Sequence, residues 1–468
     1  MTGEPIISVS GLRGVVGQSL TPDVARRYAA AFAAILPEGP VLVARDGRQN
    51  GGQLLAPVIA GLSQDGTRPV FDAGIAATPT TGVLVRHHGC AGGVQITASH
   101  NPAEYNGLKL FTAEGRVVPG AIGSKVFERF RDFGFRSDFG ELSRAADGGL
   151  TSTGLPSAFT QIVDTVSAHL ALVESIVDVA QIRGKKFRVL LDVNHGSGSV
   201  LGKPLLERLG CDVVLVGGSP DGRFAHPPEP TAENLAGVLS DVPRTRADIG
   251  FCQDPDADRL AIIDAHGRYL GEEHTLALCV DHVLRRTPGP VVTNCSTSRM
   301  TEDLANKYNV PFYRSAVGEA NVVDEMLRRQ AVIGGEGNGG VIDPRVGLVR
   351  DTFVGMALVL DAMAARDRAI SELADELPRY AIWKTKIELP ADAVPQALDA
   401  LERHFADAAS DRLDGLRLDW QGPHGGSAWL LVRASNTEPI VRIIAEAPAE
   451  DEAHCLCNEA GTVISALR

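Results

Sequence analysis

The chain has 468 residues, is 44% hydrophobic, and carries 58 acidic against 45 basic side chains, a formal net charge of −13. Such a length exceeds what one hydrophobic core can serve and predicts three or four domains. The negative balance excludes general attraction to nucleic acid or to an anionic membrane surface, while leaving room for a cationic pocket that takes phosphate.

Seven cysteines show no Cys-x-x-Cys spacing, and Cys90, Cys252 and Cys295 stand beside apolar segments, the pattern of reduced core thiols. Residues 1–5 lack the basic and apolar regions of a secretory signal, and no apolar run reaches the length of a membrane span. A cytoplasmic protein without a membrane partner is expected.

Taken in chain order, apolar β-branched runs alternate with stretches at helical spacing, the pattern of α/β units in which helices cross over between strands. In the first stretch, residues 41–44 open into Arg45-Asp46-Gly47-Arg48, residues 69–71 into Asp72-Ala73-Gly74, and residues 93–96 into Thr97-Ala98-Ser99-His100-Asn101-Pro102. The second stretch predicts strands at 188–191, 213–216 and 249–251, the last leading into Gln253-Asp254-Pro255-Asp256-Ala257-Asp258-Arg259. The third predicts them at 291–294, 312–313 and 331–333, the last leading into Gly334-Gly335-Glu336-Gly337-Asn338-Gly339-Gly340. In each stretch the most chemically loaded loop follows the third strand, so the period is architectural although the residues differ. Loops at the carboxyl ends of such strands are where open α/β sheets bind ligands, so three related domains can point three loops into one cleft.

Linkers are read at 146–154 and 264–268. Near residue 370 the pattern changes: residues 383–389 alternate like a half-exposed strand, and a helical stretch follows from Ala391. The expected domains are residues 1–150, 151–264 and 265–370, each α/β, and a smaller α+β domain over 371–468.

Four loops carry chemistry. Ser99 is delivered by a short strand into a polar loop beside His100, where a hydroxyl can be an exposed nucleophile; by itself a Ser-His pair is more often turn chemistry. Asp254, Asp256 and Asp258 alternate in an extended loop, so their carboxylates can converge on one hard divalent cation, or form a solvated acidic turn. Arg259 and Ala265 stand where a calcium loop needs glycine and an acid, and no His or Cys accompanies the aspartates, which leaves magnesium as the suited ion. Arg433-Ala434-Ser435-Asn436-Thr437-Glu438-Pro439 offers a guanidinium, hydroxyls, an amide and backbone N–H groups, a phosphate cradle or an ordinary turn. The glycine-dense Gly335–Gly340 stretch either lets backbone approach a ligand, with Glu336 and Asn338 bonding paired sugar hydroxyls, or is a flexible loop. Arg13 lies between two glycines, as a turn residue or a phosphate contact.

In order and spacing these four loops resemble the signature loops of the α-D-phosphohexomutases, and the resemblance covers nearly the whole chain. It extends to Gly11-Leu12-Arg13-Gly14, Tyr105-Asn106-Gly107-Leu108-Lys109 and Glu233-Asn234-Leu235. The resemblance implies three similar mixed-sheet α/β/α domains and a C-terminal α+β domain around a central cleft. It further implies that Ser99 is carried as phosphoserine, with Mg2+ held by Asp254, Asp256, Asp258 and the serine phosphate. Phosphate would pass between the 6- and 1-positions of a hexose phosphate through a hexose 1,6-bisphosphate, also the activator. Arg433, Ser435, Asn436 and Thr437 would hold the phosphate that is not reacting, Glu336 and Asn338 the sugar, with Arg259 beside the metal loop. His100, Lys109 and Arg13 are implied near the reacting groups.

One departure stands out. Many bacterial members end the sugar loop in Ser-Gly-His, whose histidine is a candidate proton carrier, whereas this chain has Asn338-Gly339-Gly340. That form resembles the archaeal-type branch usually assigned to phosphoglucosamine mutase. The expected substrate pair is therefore glucosamine 6-phosphate and glucosamine 1-phosphate, with mannose or glucose phosphates as the runner-up within the fold, and the chain is expected as a monomer or homodimer. A metal-dependent sugar phosphatase using Ser99 is disfavoured, because a hydrolase has no need of a second grip on a bisphosphate. A sugar-phosphate sensor on an inactive scaffold is disfavoured by the intact Ser99, Lys109 and aspartates.

Overall fold

A computed structural model describes residues 5–8, 11–63, 67–134, 159–421, 427–435 and 439–467. Three successive units are each built on the same four strands, whose order across the sheet is 2-1-3-4 when numbered within the unit. In the first unit these are Val41–Arg45, Val70–Ile75, Gly92–Ile96 and Tyr105–Thr112. In the second they are Arg188–Asp192, Asp212–Val216, Ile249–Gln253 and Leu260–Asp264. In the third they are Val291–Asn294, Phe312–Ser315, Ile333–Glu336 and Gly340–Ile342. Strands 1, 2 and 3 run parallel, and strand 4 turns back antiparallel along strand 3 in every unit. The parallel strands are covered by helices on both faces, which is why most of them read as unbroken apolar runs.

The loop after the third strand thus turns the chain back in each unit, over residues 97–104, 254–259 and 337–339, and carries a residue in the left-handed region: Ser99 (φ 52°), Ala257 (φ 57°) and Gly339 (φ 83°). Glycine is required at the last of these, because a Cβ there would lie 2.4 Å from the Leu260 carbonyl oxygen.

Beyond this shared plan the units differ. The first sheet widens to seven strands, with Gly11–Val15 and Ile6–Ser8 added beyond Tyr105–Thr112 and Phe159–Gln161 added beside Val70–Ile75. The first sheet therefore reaches past the boundary expected at 150, since a three-residue edge strand carries too little alternation to be recognised. The linker expected at 146–154 lies outside the described residues. Residues 264–268 form a turn of the second unit rather than a linker: Asp264 accepts from the backbone N–H of His266 (2.9 Å) and of Arg268 (3.0 Å) and from Arg268 Nε (3.0 Å). Its side chain does what an aspartate does at the start of a turn. The boundary expected at 370 meets the helix Ile370–Asp375, which packs on the third unit's helices Glu272–Arg286 and Thr352–Arg366.

The second and third units share one hydrophobic core. Helix Thr352–Arg366 is apolar nearly all round and lies against Glu272–Arg286 of its own unit and against Ser167–Ser175, Val179–Lys185 and Gly198–Arg208 of the second. Such a helix has no solvent face and belongs inside. Its N-cap is Asp351, which accepts from the N–H of Phe353 (2.8 Å) and of Val354 (3.2 Å) and, through Oδ2, from His169 Nε2 (2.7 Å). The other ring nitrogen of His169 meets Thr80 Oγ1 of the first unit at 2.9 Å, so one buried imidazole ties that helix to two other segments.

The fourth unit is an antiparallel sheet in the order Ala381–Glu388, Ile440–Ala447, Ser427–Ala434, Leu416–Gln421, Ala409–Asp411. One face packs on the helices Val394–His404 and Glu450–Ser465. On the other face Trp429, Leu431 and Ile444 meet Cys295 and Val317 of the third unit. All seven cysteines are free, and all but Cys455 are buried. Among the described residues no helix is long and apolar enough to cross a membrane.

Phe353 is fully buried in the shared core. Phe353→Ala is expected to destabilise the protein by about 3–5 kcal/mol, the usual cost of emptying an aromatic site, read as a lowered thermal midpoint.

Candidate active site

The serine hairpin is held from beneath by one arginine. Arg48 donates through Nη2 to the carbonyls of Ser99 (2.6 Å) and Asn101 (2.6 Å), and through Nη1 to those of Pro102 (2.7 Å) and Tyr105 (3.1 Å). Its Nε donates to Asp46 Oδ2 at 3.1 Å, and the same oxygen accepts from Thr97 Oγ1 at 2.6 Å. Thr97 Oγ1 in turn accepts the Ser99 N–H at 2.8 Å. A left-handed serine is uncommon and persists where its surroundings fix it, as this ring of bonds does. The result aims Ser99 Oγ at Asp254 Oδ2, 2.9 Å away, with His100 Nδ1 at 3.3 Å.

Asp254, Asp256 and Asp258 place one carboxylate oxygen each within 4.8 Å of the others, and all three are buried. Each uses one oxygen structurally. Asp254 Oδ1 accepts from the N–H of Asp258 and of Arg259, both at 3.0 Å. Asp256 Oδ2 accepts from Thr78 Oγ1 (2.6 Å) and Lys109 Nζ (3.1 Å), and Asp258 Oδ2 accepts from Lys109 Nζ (2.7 Å) and Arg350 Nη2 (2.7 Å). That leaves Asp254 Oδ2 facing the serine, and leaves Asp256 Oδ1 and Asp258 Oδ1 buried without a hydrogen-bond partner. Orphaned buried carboxylate oxygens are costly, and an all-oxygen set of this kind fits Mg2+. The donor set therefore suits the ion expected from the sequence.

The charges follow from this packing. Burial, reinforced by Asp256 and Asp258, raises Asp254 well above the usual carboxylate range. For Asp258 burial also pushes upward, but Arg350, Lys109 and Arg259 outweigh it and hold the group charged. Burial opposes the charge on Lys109, yet Asp256, Asp258 and Glu319 prevail and raise it above the usual lysine value. Lys109 is accordingly an ammonium with its protons committed to two carboxylates. Burial, then Arg259 and Arg13, push the His100 imidazole down to about 2, so it is neutral near pH 7. Arg13 points toward the same loop, its Nη1 3.4 Å from Asn101 Oδ1, with burial lowering its pKa.

A cavity of about 330 Å³ opens on these loops and draws residues from all four units. His100 comes from the first, Glu229 and Arg259 from the second, Glu272, Glu273, Asn294, Glu336 and Asn338 from the third, and Lys384, Arg433 and Arg442 from the fourth. Arg259 Nη1 donates to Glu229 Oε1 at 3.0 Å. Glu336 is fixed on both oxygens: Oε1 accepts from Asn294 Nδ2 (2.7 Å) and the Gly318 N–H (3.1 Å), and Oε2 from Arg350 Nη1 (2.8 Å). Gly337 must be glycine, because a Cβ would lie 2.0 Å from Glu273 Oε2. Burial pushes the Glu273 carboxyl up to about 8. Arg433 Nε donates to Asp414 Oδ2 at 3.0 Å, and that oxygen also accepts the Val317 N–H at 3.0 Å. Ser435 follows at the strand end, its N–H on the Ile440 carbonyl at 2.9 Å, while Asn436 and Thr437 lie outside the described residues.

Several neighbours were not legible in the sequence. Arg350 touches Asp258, Glu336 and Glu319, and its only local signal is its place before the N-cap Asp351. Arg48 and Asp46 fall in a loop recognised as polar but with no motif of their own. Thr78, Glu229, Glu272, Glu273, Lys384 and Arg442 are brought in by tertiary folding alone.

Fold and site define a four-unit sugar-phosphate enzyme, and comparison with known proteins agrees. Family models described as phosphoglucomutase/phosphomannomutase match in order: alpha/beta/alpha domain I over 6–136, domain II over 167–267, domain III over 272–380 and the C-terminal domain over 385–460. A "Phosphoglucomutase/phosphomannomutase" of Thermococcus kodakarensis is 37% identical, covering 95% of this chain and 94% of its own. A "Probable phosphoglucosamine mutase" of Methanopyrus kandleri is 33% identical, covering 96% and 95%. Among solved structures, a putative phosphomannomutase from Thermus thermophilus superposes with a TM-score of 0.81 at 23% identity over 99% of this chain and 100% of that one. The chain belongs to the phosphoglucomutase/phosphomannomutase family, whose members are isomerases.

Thr78→Val removes the hydroxyl that orients Asp256 while keeping its shape. Because outer partners of metal ligands are worth about 10–100-fold in affinity, Mn2+ titrated as a Mg2+ surrogate is expected to bind at least about tenfold more weakly to this variant.

Proposed function

We propose that this chain moves phosphate between the 6- and 1-positions of a hexose phosphate, with Ser99 as the phosphate carrier. The observation that carries the reading is the contact of Ser99 Oγ with Asp254 Oδ2 at 2.9 Å, in a loop where Asp256 Oδ1 and Asp258 Oδ1 are buried without a partner. Asp254, Asp256 and Asp258, with the serine phosphate, hold Mg2+, which when bound draws negative charge from the phosphoryl oxygens.

The chain's own groups do the rest. Lys109, kept protonated between Asp256 and Asp258, supplies fixed positive charge beside the serine, and Arg13 and Arg259 add to it. Such preorganised charge is the main lever in phosphoryl transfer, where the protein forms few new bonds. Glu336 and Asn338 receive sugar hydroxyls, since Glu336 Oε2 keeps a lone-pair direction beyond its bond to Arg350. Arg433, Ser435, Asn436 and Thr437 grip the phosphate that is not reacting.

In the first step the phosphoserine P–O bond breaks as the free hydroxyl of a hexose monophosphate forms its own P–O bond, and the hydroxyl's proton ends on the departing Ser99 Oγ. Hexose 1,6-bisphosphate results. Reorientation within the cavity then presents the other phosphate, which returns to Ser99 Oγ and leaves the isomeric monophosphate. His100, neutral and 3.3 Å from Ser99 Oγ, is a neighbour of the hydroxyl and not the base of a hydrolytic triad. Enclosure of the site by all four units limits access of water to the phosphoserine.

Glucosamine phosphates are the preferred pair. Glu229, Glu272 and Glu336 line the cavity beside the protonated Glu273, an acidic wall that suits an amino sugar, and the Methanopyrus relative is named a probable phosphoglucosamine mutase. The name of the Thermococcus relative favours a second reading, glucose and mannose phosphates.

Purified protein with Mg2+ and a trace of glucose 1,6-bisphosphate is to be assayed in parallel on glucosamine, glucose and mannose phosphates. Highest kcat/KM on glucosamine phosphate is expected, and equal rates on all three overturn the preference. Intact mass is expected to show a fraction heavier by one phosphoryl group, and Ser99→Ala to lose both that fraction and the mutase activity. Retention of both by Ser99→Ala overturns the mechanism.

A further inference from the structure

Arg350 was not among the residues expected to matter, yet its guanidinium lies between the metal loop and the sugar loop. Nη2 donates to Asp258 Oδ2 at 2.7 Å and Nη1 to Glu336 Oε2 at 2.8 Å, while Nε lies 3.5 Å from Glu319 Oε2. Glu319 also accepts the Arg350 N–H, at 2.7 Å, which fixes the backbone from which the side chain departs. The residue is 8% exposed, so all three ion pairs are shielded from water. In a rigid planar fork the two nitrogens stand at a fixed separation, so the two carboxylates they hold are fixed relative to each other.

A second observation concerns Gly340. A Cβ built there would lie 2.3 Å from Arg350 Cδ and 2.8 Å from Cγ, with Asn338 Oδ1 next at 3.1 Å. The Arg350 stem fills the space that any side chain at 340 would enter. Position 340 is where the sequence departs from the Ser-Gly-His form of the loop, so the departure and the arginine are two aspects of one packing arrangement.

We infer that Arg350 is a positioning residue for the transfer, coupling the sugar-binding carboxylate Glu336 to the metal-loop carboxylate Asp258, and that position 340 is glycine to admit its side chain. The inference rests on the proposed function for its kinetic consequence, but not for its effect on Asp258. By saturating Oδ2 of Asp258 together with Lys109, Arg350 leaves Oδ1, which has no protein partner, as the oxygen Asp258 can offer to an ion shared with Asp254 and Asp256. By holding Oε2 of Glu336 it sets the distance between the sugar and the transferring phosphate. As a permanently protonated group it moves no proton, so it does not replace a histidine as acid or base.

Four variants test this by two readouts: Mn2+ affinity of the dephosphorylated protein by calorimetry, and kcat and KM on the best hexose phosphate. Arg350→Gln is expected to weaken Mn2+ binding by about tenfold or more, as for other outer partners of metal ligands, and to lower kcat by a larger factor than it raises KM. Gly340→Ala, which deletes no polar group, is expected to reproduce both effects by displacing the arginine. In an Arg350→Ala background, Gly340→Ala is expected to add less than about a twofold further loss, because the colliding atoms are gone. A Gly340→Ala protein with Mn2+ affinity and kcat unchanged overturns the inference, as does full additivity in the double variant. Failure of Arg350 and Gly340 variants alike to fold assigns the pair to stability and also overturns it. If the wild-type protein interconverts no hexose phosphate, the function fails while the Mn2+ readout still decides the role of Arg350.

Discussion

Everything in the site depends on burying three carboxylates together. With oxygens inside 4.8 Å of one another, each charged pair repels by roughly 3–4 kcal/mol at an effective dielectric of about 20. The fold answers with cations from separate units: Lys109 from the first, Arg259 from the second and Arg350 from the third, each near the loop. Their arrangement is asymmetric. Asp258 carries the two strongest partners and stays ionised, whereas Asp254, which has none on its serine-facing oxygen, is raised. The cations thus compensate Asp258 most and Asp254 least, and the oxygen of Asp254 that faces Ser99 is where a divalent cation would add the charge the protein does not.

How much of this the sequence announces depends on whether the signal is local. The three parallel strands of each unit stand out because buried parallel strands are continuous apolar runs, and the loaded third loop stands out because polar residues are crowded where the run stops. The identity of that loop as a hairpin is less visible, since the fourth strand is antiparallel and, in the third unit, only Gly340–Ile342. Ser99, the aspartates, Glu336 and Arg433 are legible because each sits in a dense motif. Arg48 and Arg350 are not, although they hold the serine turn and the sugar carboxylate. A guanidinium that satisfies carbonyls or carboxylates far along the chain leaves no periodicity and no neighbours of matching type. The strand Phe159–Gln161 is too short to show alternation, and the polar segment 264–268 looks like a linker until its hydrogen bonds are seen.

The fourth unit joins the others in a different way. Its outward sheet face changes character along its length: Trp429, Leu431 and Ile444 dock on the third unit, and Arg433, Arg442 and Lys384 overhang the cavity. Glu446 lies in the docked part, receiving Trp429 Nε1 at 2.7 Å and the Arg299 N–H at 2.9 Å, and Arg417 stacks on the same indole with its guanidinium carbon 4.2 Å from the ring centroid. The seam is therefore small, aromatic and polar, unlike the continuous core that fuses the second and third units through Thr352–Arg366.

The three hairpins with a left-handed residue have an implication for how this architecture can vary. One structural slot, repeated three times, presents a hydroxyl in the first copy, carboxylates in the second and a glycine-lined cup in the third. Because each slot is closed by its own fourth strand, a change in one does not shift the register of the others. In the third loop Gly339 is fixed by the Leu260 carbonyl and Gly340 by the Arg350 stem, so variation there is left chiefly to Asn338. Three copies of one part thus carry different side chains, and Arg350 is the contact by which the third answers to the second.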